Sequence, residues 1–228
     1  MRTRPQTLLA LLVLVIAASC VSLKRTPEAR FFVLRSLVEP PAAPAAEPTG
    51  GIVGVAAVQL PGHLERSQVV AWRAPGELRV DEFVRWGEPL DTGIARTLRE
   101  NLAVLLPEHR LIGSPWRADT KMRCRVVVEL SVFGRQGDGD VLLRGRWTLL
   151  PARSERALAI RPVELRRGPV PSGPPGTEAG ASIEVMSQLI ADLSRQIADG
   201  IRALPSEPPA EAPPPREPED ADAPPRES

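Results

Sequence analysis

Residues 125–149 constrain the fold more than any other part of the chain. In Arg125 to Phe133, the residues Val126, Val128, Leu130 and Val132 recur at every second position. A period of two places them on one face of a strand. Gly134 to Asp140, with Gly137-Asp138-Gly139 inside it, has the chemistry of a turn. Beyond it Val141, Leu143, Trp147 and Leu149 alternate again, with Gly145 between them. Two such runs across a short turn predict an antiparallel hairpin with one buried face. Ala157 to Leu165 adds a third strand to this meander.

A sheet with one apolar face needs a cover. Two apolar stripes supply it. Asp91 is expected to cap a helix that runs to about Leu106, with Ile94, Leu98, Leu102, Leu105 and Leu106 on one face and Pro107 ending it. A second helix is expected from Ser182 to about Leu204, where Met186, Leu189, Ile190, Leu193, Ile197 and Ile201 repeat at three and four residues. That stripe reads as core packing rather than a membrane-lying face, because the helix is not especially basic. Four short strands precede the first helix: Phe31 to Leu34, Ile52 to Gln59, Gln68 to Trp72 and Glu77 to Val80. Pro61-Gly62 stops the second, and Pro75-Gly76 turns the third into the fourth. Strands in two groups, each followed by a helix, predict a single-domain α/β sandwich over residues 31–204. The expected architecture is one mixed β-sheet containing the antiparallel meander, packed against two main helices.

The 26 prolines are clustered and mark the joints. Glu39 to Gly51 and Gly168 to Gly180 read as extended loops. Pro205 to Ser228 is rich in Pro, Glu and Asp, with almost no bulky apolar residue. It cannot bury enough surface to offset its chain entropy, so disorder is expected there.

The first nineteen residues read as a signal peptide. Arg2 and Arg4 precede an apolar run from Leu8 to Ala18, far short of the ~20 residues that span a bilayer. Ala17-Ala18-Ser19-Cys20 then resembles a bacterial lipobox, in which the cysteine is acylated and becomes the first residue of the mature protein. Cys20 is the candidate lipidation site, and residues 20–30 are the expected tether to a membrane. Cys124 is the second cysteine of the chain. With Cys20 acylated no disulfide forms, and Cys124 is expected to be a half-buried structural thiol rather than a reactive one beside Arg123 and Arg125.

Chemistry is sparse. The formal net charge is +1, Tyr is absent and aromatics are 4%. No basic stripe with interleaved aromatics is present, so nucleic acid is not an expected partner. The two histidines, His63 and His109, lack ligand-spaced companions, so no metal and no cofactor are expected. Gly-x-Ser-x-Gly does not occur, nor does a phosphate-binding loop ahead of a helix. An envelope hydrolase would have to use His63 or His109 as its histidine base.

Two segments stand out. One is Leu60-Pro61-Gly62-His63-Leu64-Glu65-Arg66-Ser67-Gln68-Val69-Val70, and the other is Arg85-Trp86-Gly87-Glu88-Pro89-Leu90, just before the first helix. Trp86 reads as a plug of the sheet–helix seam, with Arg85 and Glu88 at the surface. The alternative is a patch that faces a partner, since Trp and Arg serve as interface anchors.

On these segments the chain resembles the PqiC family of envelope lipoproteins, also called ABC-type transport auxiliary lipoproteins. The lipobox, the Phe31–Leu34 strand soon after it and the terminal amphipathic helix agree with it. The resemblance covers about Phe31 to Leu204. It implies a non-enzymatic auxiliary subunit of an MCE-type phospholipid transport system that supports envelope integrity. The implied partners are an MCE-domain protein of the same system and, indirectly, an inner-membrane permease and its ATPase, with a homo-oligomer also compatible. It implies a lipid anchor in the outer membrane, on its periplasmic face, and Val21 in place of a retention Asp agrees with that sorting. Leu60, Pro61, Arg66, Gln68, Arg85, Trp86, Glu88 and Pro89 are the candidate partner-binding or family-motif residues. A stand-alone periplasmic lipid carrier or chaperone is the alternative, and it requires an apolar cavity between sheet and helices.

Overall fold

The alternation in residues 122–135 produces the longest strand among the described residues. The structure, a computed structural model, describes residues 27–39 and 48–205. Its elements run β1 (Arg30–Phe32), β2 (Ile52–Val55), β3 (Gln68–Ala74), β4 (Glu77–Trp86), α1 (Leu90–Leu105), β5 (Arg110–Gly113), β6 (Met122–Arg135), β7 (Val141–Leu150), β8 (Ala159–Arg167) and α2 (Pro175–Arg202). The signal peptide, Cys20, most of the tether and the chain beyond Pro205 lie outside the described residues.

The meander β6-β7-β8 is antiparallel, as the alternation predicts. Cys124, Val126, Val128 and Leu130 are buried along one face of β6. The pattern then changes phase, and Phe133 rather than Val132 is buried. A bulge between Leu130 and Val132 causes this. One extra residue, Ser131, turns every later side chain to the opposite face. Gly145 pairs with Leu130 at this point. A Cβ on Gly145 would lie 2.1 Å from the Glu129 carbonyl oxygen and 2.8 Å from Leu130 Cα, so only glycine lets β7 approach the bulge. We expect Gly145→Ala to lower stability by about 1–3 kcal/mol, the usual cost of overpacking. Urea titration should show the midpoint fall with an unchanged slope.

Two further strands extend the meander on its other side. The five-stranded sheet runs β5-β2-β6-β7-β8, with β2 parallel to both β5 and β6. The remaining strands form a separate sheet, β1-β4-β3, with β1 parallel to β4 and a β3–β4 hairpin turned at Gly76 (φ +77°). The sheets meet where the hairpin end passes the β6–β7 turn. A Cβ on Gly137 would sit 2.2 Å from the Arg73 carbonyl oxygen, a backbone approach no other residue permits.

α2 covers both sheets. It contacts β6, β7 and β8 on one side, β4 and β1 on the other, and α1 alongside. Its predicted stripe, Met186 to Ile201, is buried. α1 buries Ile94, Leu98 and Leu102 against α2 and the β2–β5 edge. Leu34, Trp86, Leu98, Phe133, Trp147 and Ile190 belong to one continuous core, so the mixed α/β sandwich is a single unit. α2 also ties the sheets together electrostatically. Glu178 in its first turn accepts from Arg135 of β6 at 2.9 Å and from Arg79 of β4 at 3.2 Å.

Several expectations are corrected. One sheet is replaced by two, because β3 and β4 pair with each other and with β1 and make no ladder with the meander they pack on. β4 runs to Trp86 instead of ending at Val80, so Arg85 and Trp86 sit in the strand. β1 ends at Phe32, and β2 at Val55 with one parallel bridge further on at Gln59–Glu129. Asp91 does not cap α1. Pro89 occupies the cap position without a side-chain hydrogen bond, and Asp91 stands in the first turn, where a carboxylate complements the helix dipole. α2 begins at Pro175, so the loop ends there instead of at Gly180. Proline is tolerated in a first helical turn, and the small residues that follow hide the period. β5 has no counterpart in the sequence reading, since four residues are too few for an alternation signal.

Candidate functional site

Both singled-out segments converge on one surface groove. The loop from Leu60 closes on itself: the Leu64 N–H donates to the Pro61 carbonyl at 2.8 Å, and the Glu65 N–H to the Gly62 carbonyl at 3.3 Å. Leu64 is buried and Leu60 packs on the core, which pins the loop. His63 meets Trp72 edge-on with ring centroids 5.6 Å apart. Glu65, Arg66 and Ser67 are left exposed. The Trp86 N–H then donates to the Ser67 carbonyl at 2.7 Å, and the Gly87 N–H to the Phe32 carbonyl at 2.8 Å. These two bonds bring the loop, the end of β4 and β1 to the start of α1.

The groove so formed has a volume of about 430 Å³. Glu65, Arg66, Ser67 and the run Trp86 to Asp91 line it. Trp86 forms its floor, buried to 7% exposure in the core cluster. Four of the eight candidate residues therefore meet here: Arg66, Trp86, Glu88 and Pro89. The others stand outside. Leu60 packs inward, and Pro61 accepts the turn bond within the loop. Gln68 donates from Nε2 to Glu82 Oε2 at 3.1 Å, and Arg85 from Nε to the Glu82 carbonyl at 2.9 Å. Arg85 alternates with Trp86 along β4 and so faces the other side of the sheet.

Glu88 is held in place. Arg96 of α1 donates to it from Nη2 at 2.7 Å, to Glu100 from Nη1 at 3.0 Å and to the Leu34 carbonyl from Nη2 at 2.8 Å. The hydrogen bonds to Glu88 raise the Arg96 pKa most, with Glu100 adding to them and partial burial opposing. Sequence reasoning missed Arg96. Its only local signal is the Arg96–Glu100 pair at i,i+4 spacing, which is common on solvated helices. Arg66 is exposed and makes no ion pair among the described residues. The groove thus offers an aromatic floor, a fixed carboxylate and an uncommitted guanidinium, which is recognition chemistry.

The other singled-out groups lie elsewhere. His109 is buried before β5, with Nδ1 3.3 Å from the Gly51 carbonyl. Cys124 is fully buried, not half-buried, and burial pushes its thiol up to about 11 despite Arg123 nearby. That thiol is not poised for reaction.

Comparison with known proteins decides the family. Residues 32–198 match the family model of the ABC-type transport auxiliary lipoprotein component. The chain belongs to this family. It is thus an auxiliary lipoprotein component of ABC-type transport, as the resemblance on Leu60–Val70 and Arg85–Leu90 implies. Solved structures agree on the fold. The crystal structure of an uncharacterized protein is 23% identical with a TM-score of 0.60, covering 77% of this chain and 99% of its own. A protein from Xanthomonas campestris is 17% identical with a TM-score of 0.60, covering 75% and 97%. No curated protein matches the chain. Among the described residues no helix is long and apolar enough to cross a membrane.

Proposed function

We infer that this family member is a lipoprotein held by acylated Cys20 on the periplasmic face of the outer membrane. It serves there as a non-enzymatic subunit of an MCE-type phospholipid transport system and supports envelope integrity. The groove between Arg66 and Glu88 is its docking site for the MCE-domain partner. The observation that carries this reading is the convergence of both family-like segments on one open surface groove. A stand-alone carrier needs an apolar cavity for acyl chains, on the order of hundreds of Å³. The cleft between α2 and the three-stranded sheet has a volume of about 40 Å³ and is lined by the charged Arg79, Asp81, Arg135 and Glu178, so this cleft is not an acyl-chain site.

The test is affinity purification of the tagged full-length chain from detergent-solubilised native membranes. An MCE-domain protein is expected in the eluate. Arg66→Glu should reduce its recovery about tenfold, the scale of a lost charge-assisted contact of ~1.4 kcal/mol. Ile160→Asp on β8, remote in the fold, should leave recovery unchanged. Recovery of the chain alone with stoichiometric phospholipid would replace the adaptor by the carrier.

A further inference from the structure

Four large apolar side chains stay exposed among the described residues: Phe31, Val33, Leu78 and Ile160. Phe31 is 66% exposed and Val33 48%. They stand two positions apart, Phe31 in β1 and Val33 just past its end; Phe32 between them packs against the core and Leu34 is buried in it. Both are therefore left outside the core, at the edge of the three-stranded sheet.

The chain ahead of them says what covers them. Ten residues separate Cys20 from Phe31. Fully extended they reach at most about 35 Å, and as a flexible coil about 17 Å. An acylated Cys20 therefore keeps Phe31 within a short distance of the lipid headgroups. Lys24 and Arg25 in this stretch outnumber its one acid, Glu28, so the stretch complements anionic phosphates. Exposed Phe side chains flanked by Lys and Arg are of the kind that bury at the headgroup–acyl boundary. We propose that Phe31 and Val33 rest on the lipid surface of the membrane that anchors the chain, and so set the orientation of the whole domain. The proposal rests on acylation of Cys20.

The geometry makes such a contact effective. The segment after β1 is fixed on the helices. Arg96 holds the Leu34 carbonyl, the Arg35 N–H donates to Ser187 Oγ at 3.2 Å, and Ser36 Oγ donates to Asn101 Oδ1 at 2.7 Å. Lipid contact at Phe31 therefore turns the body and not a loose strand. Val33 also borders the groove, since a Cβ on Gly87 would lie 3.1 Å from Val33 Cγ1. The groove then opens beside the bilayer, where a partner that exchanges phospholipid has to arrive.

The full-length chain, produced with its own leader and purified from membranes, is reconstituted in vesicles of phosphatidylethanolamine with phosphatidylglycerol. The mass of its N-terminal peptide reports acylation independently. With Cys20 acylated and Cys124 buried, Phe31→Cys and Ile160→Cys each provide one reactive thiol for a nitroxide. At position 31 the label should collide more often with oxygen and several-fold less often with a water-soluble nickel chelate than at position 160. Equal nickel access at the two positions on an acylated chain overturns the lipid contact while the anchor stands. Dipolar broadening between labels at position 31 also overturns it, by placing a second copy there. Loss of oxygen and nickel access together overturns it in favour of a protein cover. An unacylated N-terminal peptide removes the anchor and the proposal with it.

Discussion

Trp86→Ala should lower stability by about 3–5 kcal/mol, the range for truncating a buried large aromatic. Trp86 is 7% exposed and packs within the same core as Leu90, Ile94 and Leu34. Its removal leaves a cavity where β4 hands over to α1, and the surrounding backbone is too constrained to close it. The Trp86 N–H is bonded to Ser67 and the Gly87 N–H to Phe32, so the strand end cannot move inward without breaking both. Arg85→Ala, one residue away, should change stability by no more than about 0.5 kcal/mol. Its ion pair with Glu82 spans 3.7 Å between exposed side chains, and such pairs contribute little. Chemical denaturation of both variants is the measurement. Wild-type stability in Trp86→Ala would mean that the indole serves the groove and not the core. The pair of variants therefore separates folding from docking at the family motif.

Glu178→Ala should be equally severe, at about 3–5 kcal/mol, for an electrostatic reason. Arg135 is 13% exposed at its side chain and Glu178 9%, with 2.9 Å between them. Deleting the carboxylate leaves the Arg135 guanidinium buried without a counter-ion. Arg79, the second partner, is 46% exposed and can return to water. Glu178→Leu combined with Arg135→Met should recover most of the loss. It replaces the buried charges by apolar volume and orphans none of them. Salt should have little influence on the Glu178→Ala defect, because a buried pair is poorly screened. A double variant as unstable as the single one would show that Arg135 matters through its hydrogen bonds instead.

The two variants probe opposite ends of the three-stranded sheet. Trp86 joins that sheet to α1 and the groove, whereas Glu178 joins it through α2 to the five-stranded sheet. Loss of either should loosen the hairpin β3–β4 before the meander. Hydrogen exchange should therefore report lower protection in residues 68–86 than in residues 122–150 for both variants. The groove depends on the same hairpin, so partner recovery should fall with either variant. Arg66→Glu, which acts on an exposed side chain, should reduce recovery without that loss of protection.

The groove was partly legible in the sequence. Arg85-Trp86-Gly87-Glu88-Pro89 stands out because a large aromatic, a charge pair and a proline ahead of an apolar helical stripe are unusual together, and four of these five residues line the groove. Contact between that run and Glu65-Arg66-Ser67 was not legible. It depends on a backbone bond from Trp86 to Ser67, and backbone bonds leave no side-chain signature. Arg96 was hidden for a similar reason. Its partners Glu88 and Leu34 are brought together only by the packing of three separate segments.

By itself the sequence determined the local elements whose period is long enough to be unambiguous. Val126 to Leu130 and Val141 to Leu149 could form only a half-buried hairpin, and the stripes Ile94–Leu102 and Met186–Ile201 only its helical cover. Tertiary structure decided the rest. It placed the bulge at Ser131 that exchanges Val132 for Phe133, inserted β2 in parallel between β5 and β6, and divided the strands into two sheets. Period and turn chemistry are nearest-neighbour properties of the chain. Register, parallel pairing and the phase of a bulge are set by non-local backbone bonds and by which arrangement fills one core without voids.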